Sequence, residues 1–252
     1  MANGQQDGFH RRVIEARGGT MAVLTAIAIS IGGLIEIVPM FSAKLGPEHL
    51  AGVTPLSPLQ AAGRDIYIRE GCVTCHSQMI RPTRGEMLRY GEWTRAGEYE
   101  YDHPFLLGSR RIGPDLQRVG GKYPDAWHYQ HMKDPRSTSP GSIMPNYPWL
   151  YGARVDPLEV AATVRTLRKV GVPYDDAAIT AIPEQMLTEG SAIVASLRTG
   201  GFTAEPDEEI VALIAYLQRL GRDGSAAIAA GATKSPAEAA KAQAGATKAL
   251  AP

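Results

Sequence analysis

Five consecutive residues constrain this chain more than any others: Cys72, Val73, Thr74, Cys75 and His76. The spacing C-x-x-C-H is the attachment signature of a c-type haem. Two cysteines three apart present both thiols on one helical turn, where they can add to the two vinyl groups of one porphyrin. The adjacent histidine then falls beneath the ring as an iron ligand. The chain has 2 cysteines, both inside the motif. Half a zinc site would need two more Cys or His ligands at similar spacing. A thioredoxin-like redox pair would need a βαβ context. Neither surrounds this motif, and two cysteines make no disulfide framework.

A chain built on a porphyrin needs less apolar mass of its own, because the ring is a large apolar surface. The composition agrees: aromatics are 7%, while 27 glycines and 18 prolines predict long irregular connections. The 252 residues allow one large domain with extras. The formal net charge is zero, and there is no basic stripe, so nucleic acid is not an expected partner.

Residues 1–19 are polar and carry Arg11, Arg12 and Arg17. Residues 20–41 form an apolar run broken by one charge, Glu36. At about 1.5 Å per residue such a run covers roughly 33 Å, enough for a bilayer core of about 30 Å. It exceeds the h-region of a signal peptide, and Phe41-Ser42-Ala43 is a poor cleavage site. A retained transmembrane helix in membrane lipid is therefore expected. Three arginines before it and Lys44 after it place the N-terminus in the cytoplasm and the rest in the periplasm of a bacterium. Glu36 would face a partner helix or the interface, and Gly32-Gly33 would allow close helix approach.

Residues 42–57 read as a linker, with Gly46-Pro47 and Thr54-Pro55. Ser57-Pro58 supplies a cap and first turn for a helix to about Glu70, leading into the haem motif. Near the other end, Pro206-Asp207-Glu208-Glu209 opens a helix with Ile210, Leu213, Ile214 and Leu217 on one face, stopped by Gly221. Gly63 and Tyr67 on the first helix are expected to meet Tyr216 and Leu217 on the last. Asp156-Pro157 opens a helix to about Val170, and another is expected from Pro183 to Leu197. The cytochrome domain thus spans 58–221. Residues 222–252 are Ala/Gly/Lys/Ser-rich and are expected to be a disordered tail. The expected fold is all-α: one N-terminal transmembrane helix followed by a class I-like cytochrome c domain with insertions.

With His76 as the proximal ligand, the second axial ligand decides the chemistry. Candidates are Met79, Met87, Met132, Met144, Met186, His103, His128 and His131. Met79 is too close to His76 to reach the far face. Met144, followed by Pro145, sits on a loop that would hold its thioether rigidly, and it is the preferred ligand. Packing is its alternative use, and His103, His128 or His131 would give bis-histidine ligation. A thioether favours ferrous iron, and two firm ligands leave no position for oxygen. Gly113-Pro114-Asp115-Leu116 is a Gly-Pro-x-Leu segment of the kind that lies beside the proximal histidine in c-type cytochromes. The Pro114 carbonyl would accept from the free His76 nitrogen, and Leu116 would pack on the ring. Arg110 and Arg111 are candidates for the propionates, or a solvated pair. Trp127, Tyr147 and Trp149 are candidates to line the pocket.

The stretch Arg69 to Pro82 resembles the mono-haem cytochrome c subunit, subunit II, of cbb3-type cytochrome c oxidase. So do Arg89-Tyr90-Gly91, Ala96-Gly97-Glu98, Tyr101-Asp102, Gly108-Ser109-Arg110-Arg111, Gly113 to Leu116, Met144 to Leu150, Gly171 to Tyr174 and Ile214 to Gly221. The resemblance covers roughly residues 10–221. Leu107 departs from it, where the family favours tryptophan. The resemblance implies a proton-translocating respiratory oxidase. Its catalytic subunit would hold two haems b and copper, beside a di-haem cytochrome c subunit. This chain would be a non-catalytic relay, passing electrons from the di-haem subunit or a soluble cytochrome c to the low-spin haem b, where dioxygen becomes water. It also implies a calcium ion near the propionates at the subunit interface.

The rival readings are the cytochrome c subunit of nitric oxide reductase, a free membrane-tethered electron shuttle, and a haem sensor. The chain's length and the Met144 to Leu150 stretch favour the oxidase over the reductase. Glu36 and the insertions speak against a free shuttle, and a firm sixth ligand speaks against a sensor.

Overall fold

The computed structural model describes residues 8, 10–40, 49–230 and 233–234. They fall into two units, described separately. The first contains a short π-helical turn, Arg11–Glu15, and helix α1, Gly18–Met40. Its 22-residue stretch Gly18–Pro39 is long and apolar enough to cross a membrane, the only such helix among the described residues. The helix begins two residues before the expected start at 20, and the expected end, Phe41, lies outside the described residues. Ile29, Ile35 and Leu34 are openly exposed on α1, which suits lipid and not water.

The second unit, Glu48–Lys234, is mainly helical, with a two-residue antiparallel pairing of β1, His49–Leu50, with β2, Thr233–Lys234, and an isolated bridge between Arg154 and Glu208. Its centre is the crossing of α2, Pro58–Arg69, and α9, Glu209–Arg219. Helix α2 starts where Ser57 and Gln60 form a reciprocal capping box, with Pro58 in the first turn. In α9 every residue from Ile210 to Leu217 is buried. Gly63 makes the crossing possible: a Cβ there would overlap the Ala212 carbonyl oxygen and come to 2.8 Å from Tyr216 Cβ. Tyr67 and Tyr216 meet edge to face at 5.4 Å. The expected contact of Gly63 and Tyr67 with Tyr216 is therefore present.

Around this pair lie α3, Arg84–Tyr90; α4, Asp125–Lys133; α5, Pro135–Thr138; α6, Pro157–Lys169; α7, Asp176–Thr180; and α8, Ile182–Thr199. Asp156 caps α6 by accepting from Leu158 N at 2.8 Å. Helices α6 and α8 match the two expected between the terminal helices. Short α3, α4, α5 and α7 were not anticipated from the sequence pattern.

The expectation of a disordered tail from residue 222 is corrected. Arg222–Ala229 form helix α10, with Gly224 and Ala227 buried. Composition misleads here, because small side chains were the means of close packing. A Cβ at Gly224 would overlap the Glu98 carboxyl group. Asp223 anchors the helix by accepting from Thr54 N at 3.1 Å and Thr54 Oγ1 at 2.9 Å. Part of the expected linker, residues 49–57, is likewise built into this unit. Residues 42–48 and 235–252 lie outside the described residues.

Candidate haem-binding site

Helix α2 ends at Arg69, and Gly71 turns the chain with φ +71° into a 3-10 turn, Cys72–Thr74. The amides of Cys75 and His76 both return to the Cys72 carbonyl, at 3.1 and 2.9 Å. Both cysteines therefore sit on one tight turn, with unpaired thiols, and His76 projects directly from it. Burial, together with the nearby Glu70 charge, pushes the Cys72 thiol up to about 12, so it is held as a thiol.

A second segment, residues 113–117, is laced to this turn. Gly113 N donates to Cys75 O at 3.0 Å and Leu116 N to Ser77 O at 2.9 Å. His76 Nδ1 lies 2.8 Å from Pro114 O. A carbonyl can only accept, so Nδ1 carries the hydrogen and Nε2 is left with its lone pair for a metal. Burial holds His76 below its ordinary value, against the raising effects of the Pro114 bond and Asp115. Gly113 backs onto the imidazole: a Cβ would overlap Cε1 and fall 2.7 Å from both ring nitrogens. Only glycine lets the backbone lie against the ring.

The loop carrying Met144 reaches the same region. Cys72, Val73, Leu116, Met144 and Tyr147 are all partly buried against one apolar core. Tyr147 N donates to Met132 O at 3.0 Å. Burial, then the neighbouring Cys72 and Cys75, pushes the Tyr147 hydroxyl up to about 12. Trp149 Nε1 donates to Glu70 Oε2 at 2.9 Å, two residues before Cys72. Met132 and Met186 are core residues. His131 is stacked on Trp127 at 4.5 Å, with Nδ1 2.5 Å from Thr138 Oγ1. His128 is buried and its Nε2 has no partner. The His103 carbonyl accepts from Arg64 at 3.1 Å.

The two arginines part company. Arg110 is exposed. Arg111 is built into a network: its Nε donates to Ser77 Oγ at 2.7 Å, and its Nη2 to Met79 O at 2.6 Å and Glu86 Oε2 at 2.7 Å. A buried carboxylate in this position needs a cation, and Glu86 supplies that demand from a segment 25 residues away. Sequence reasoning missed Asp115, Ser77 and Glu86. The first two lie inside stretches it singled out, but nothing in the sequence pairs them.

These residues fit a covalently held haem. Two thiols stand on one turn, a histidine keeps its outer nitrogen free, a glycine cradle backs the ring, and apolar side chains and a methionine loop gather beside them. Among the described residues no group of three or more His, Cys, Asp or Glu could hold a metal ion. The calcium ion thus rests on the resemblance alone.

No curated protein matches this sequence. The sequence model of the family described as cytochrome C oxidase, mono-heme subunit/FixO matches residues 11–223. That match runs from the start of the π-helical turn to the first turn of α10, and includes every residue of the site. This chain therefore belongs to the FixO family, the mono-haem subunits of cytochrome c oxidase.

Proposed function

We propose that the chain is the membrane-anchored haem c subunit of a cbb3-type terminal oxidase. In this role it receives electrons from a di-haem cytochrome c subunit or a soluble cytochrome c and delivers them to the low-spin haem b of the catalytic subunit. There dioxygen is reduced to water with proton translocation. The observation that carries this reading is the His76 Nδ1–Pro114 contact at 2.8 Å, one turn after two free thiols, in a chain of this family.

Cys72 and Cys75 would hold the porphyrin through thioether bonds, and His76 and Met144 would bind its iron. A haem c held in this way supplies a one-electron iron couple. The chain's own residues do the rest. Pro114 fixes the His76 tautomer and orientation. Leu116, Tyr147 and Trp149 wall the site, and Arg110 and Arg111 are the propionate candidates. Helix α1 anchors the subunit in the bacterial inner membrane. Its preceding Arg11, Arg12 and Arg17 favour a cytoplasmic N-terminus and a periplasmic haem domain.

The test is a reduced-minus-oxidised spectrum across a redox titration, for the wild type and Met144→Ala. One haem c per chain is expected, with a potential that falls sharply in the variant. Oxygen uptake, and not nitric oxide consumption, by the complex copurified in mild detergent separates this reading from the reductase. A subunit that purifies alone would favour the free shuttle.

A further inference from the structure

The side chain of Asp115 has no exposed surface, and the reading above gives it no task. Its Oδ2 accepts from Ser77 Oγ at 2.6 Å and from Met79 N at 2.9 Å. Its Oδ1 accepts from Gln117 N at 2.9 Å. The Arg111 guanidinium lies 3.5 Å away and also holds Ser77 and Glu86. Arg81 closes the network by pairing with Glu86. Two carboxylates and two guanidinium groups thus neutralise one another.

The network sits on one pair of segments. His76 is followed directly by Ser77, and Asp115 directly follows Pro114. Uncharged bonds join the segments from Gly113 N to Cys75 O and from Leu116 N to Ser77 O. The bonds from Ser77 and Met79 to Asp115 add ionised ones, which are about twice as strong as neutral ones. Ser77 cannot move away from Asp115 without also drawing His76 from the Pro114 carbonyl.

We propose that Asp115 is a positioning residue for His76. Its carboxylate clamps Ser77 and Met79, and so keeps the Pro114 carbonyl on the His76 Nδ1–H. The same charge favours ferric over ferrous iron on the other side of the imidazole. A firmly made bond at Nδ1 raises the basicity of the ligand. Removing one carboxylate charge leaves the network with a net positive charge, which favours the ferrous state. Both effects have the same sign. The inference rests on the haem reading given under Proposed function.

The experiment uses the haem-loaded full-length chain in detergent, as wild type, Asp115→Asn and Ser77→Ala. Asp115→Asn keeps the shape and removes the charge. Its ferrous-to-ferric ratio at a fixed ambient potential is expected to rise about three- to tenfold, as for one partly screened charge nearby. Its low-spin ferric electron paramagnetic resonance g values should shift, because the imidazole plane is no longer fixed. Ser77→Ala retains the charge and loses one link, so it should shift the g values and change the ratio less. Asp115→Asn with normal haem content but unchanged g values and an unchanged or lowered ratio would overturn the proposal, even if its melting temperature drops. If Asp115→Asn does not load haem, wild-type g values in Ser77→Ala overturn it instead. Wild-type chain without haem would sink the earlier reading and this one together.

Discussion

The Trp149 indole donates to the Glu70 carboxylate at 2.9 Å. This bond fastens the loop five residues beyond Met144 to the end of α2, two residues before Cys72. The indole is half exposed, at 53%, so burial alone does not hold it there. Trp149→Phe keeps the ring and removes the donor. A hydrogen bond to a charged group at a partly wet site contributes about 1 kcal/mol, and its loss should let the Met144 loop open more often. Added imidazole should then compete for the iron at about fivefold lower concentration in the variant. An unchanged imidazole titration of the oxidised haem would show that this bond does not hold the loop.

The crossing of α2 and α9 should be the least tolerant place in the domain. At Gly63 a side chain meets the Ala212 backbone and Tyr216 Cβ, and backbone cannot turn aside as a side-chain tip can. Overpacking of this kind costs about 1–3 kcal/mol even for small additions. Gly63→Leu should separate the helices and sharply lower the yield of haem-loaded protein, with Gly63→Ala intermediate. Haem content per chain, read from the pyridine haemochrome, checks this. Wild-type yield from Gly63→Leu would refute the crossing.

What the sequence disclosed follows from how local each signal is. The caps of α2 and α6 are readable because Ser57 and Asp156 satisfy amides two or three residues away. The stripe of Ile210, Leu213, Ile214 and Leu217 gives α9 because its burial face repeats every turn. The place of Pro114 against His76 is readable through a motif found in c-type cytochromes. The partners of Arg111 were not readable: Ser77 and Glu86 lie 34 and 25 residues away, and no periodicity links them. Helix α10 was missed for a different reason. Its Gly and Ala residues look like a polar tail, yet Gly224 is small because Glu98 lies where a Cβ would be.

Helix α10 should therefore contribute to stability. Asp223 holds Thr54 N and Oγ1 and lies 2.5 Å from Arg219. Asp223→Ala leaves the Thr54 amide without this acceptor and should cost about 1–2 kcal/mol in denaturant unfolding. Gly224→Leu should cost more, since it pushes α10 off Glu98. Unfolding midpoints equal to wild type in both variants would mean that α10 only rests on the surface.

His128 should make the folded domain acid-sensitive. Its side chain is buried, with Nε2 unpartnered, beside Trp127 at 5.3 Å and Tyr123 at 6.2 Å between ring centroids. Burial lowers it to about 4, with Asp125 opposing and His131 assisting the shift. In the unfolded chain it titrates near about 6.5. Between those values the unfolded state binds a proton that the folded state refuses, so stability rises with pH across that window. The contribution is complete above about pH 6.5 and is lost as pH falls towards about 4, a change of roughly 2–3 kcal/mol at most. His128→Leu removes the titrating group at similar volume and should flatten the unfolding free energy across this window, with its largest gain over wild type at the acid end. Denaturant unfolding of the haem-loaded chain between pH 4.5 and 7.5 decides it: parallel pH profiles for wild type and variant would show that His128 is not the group responsible.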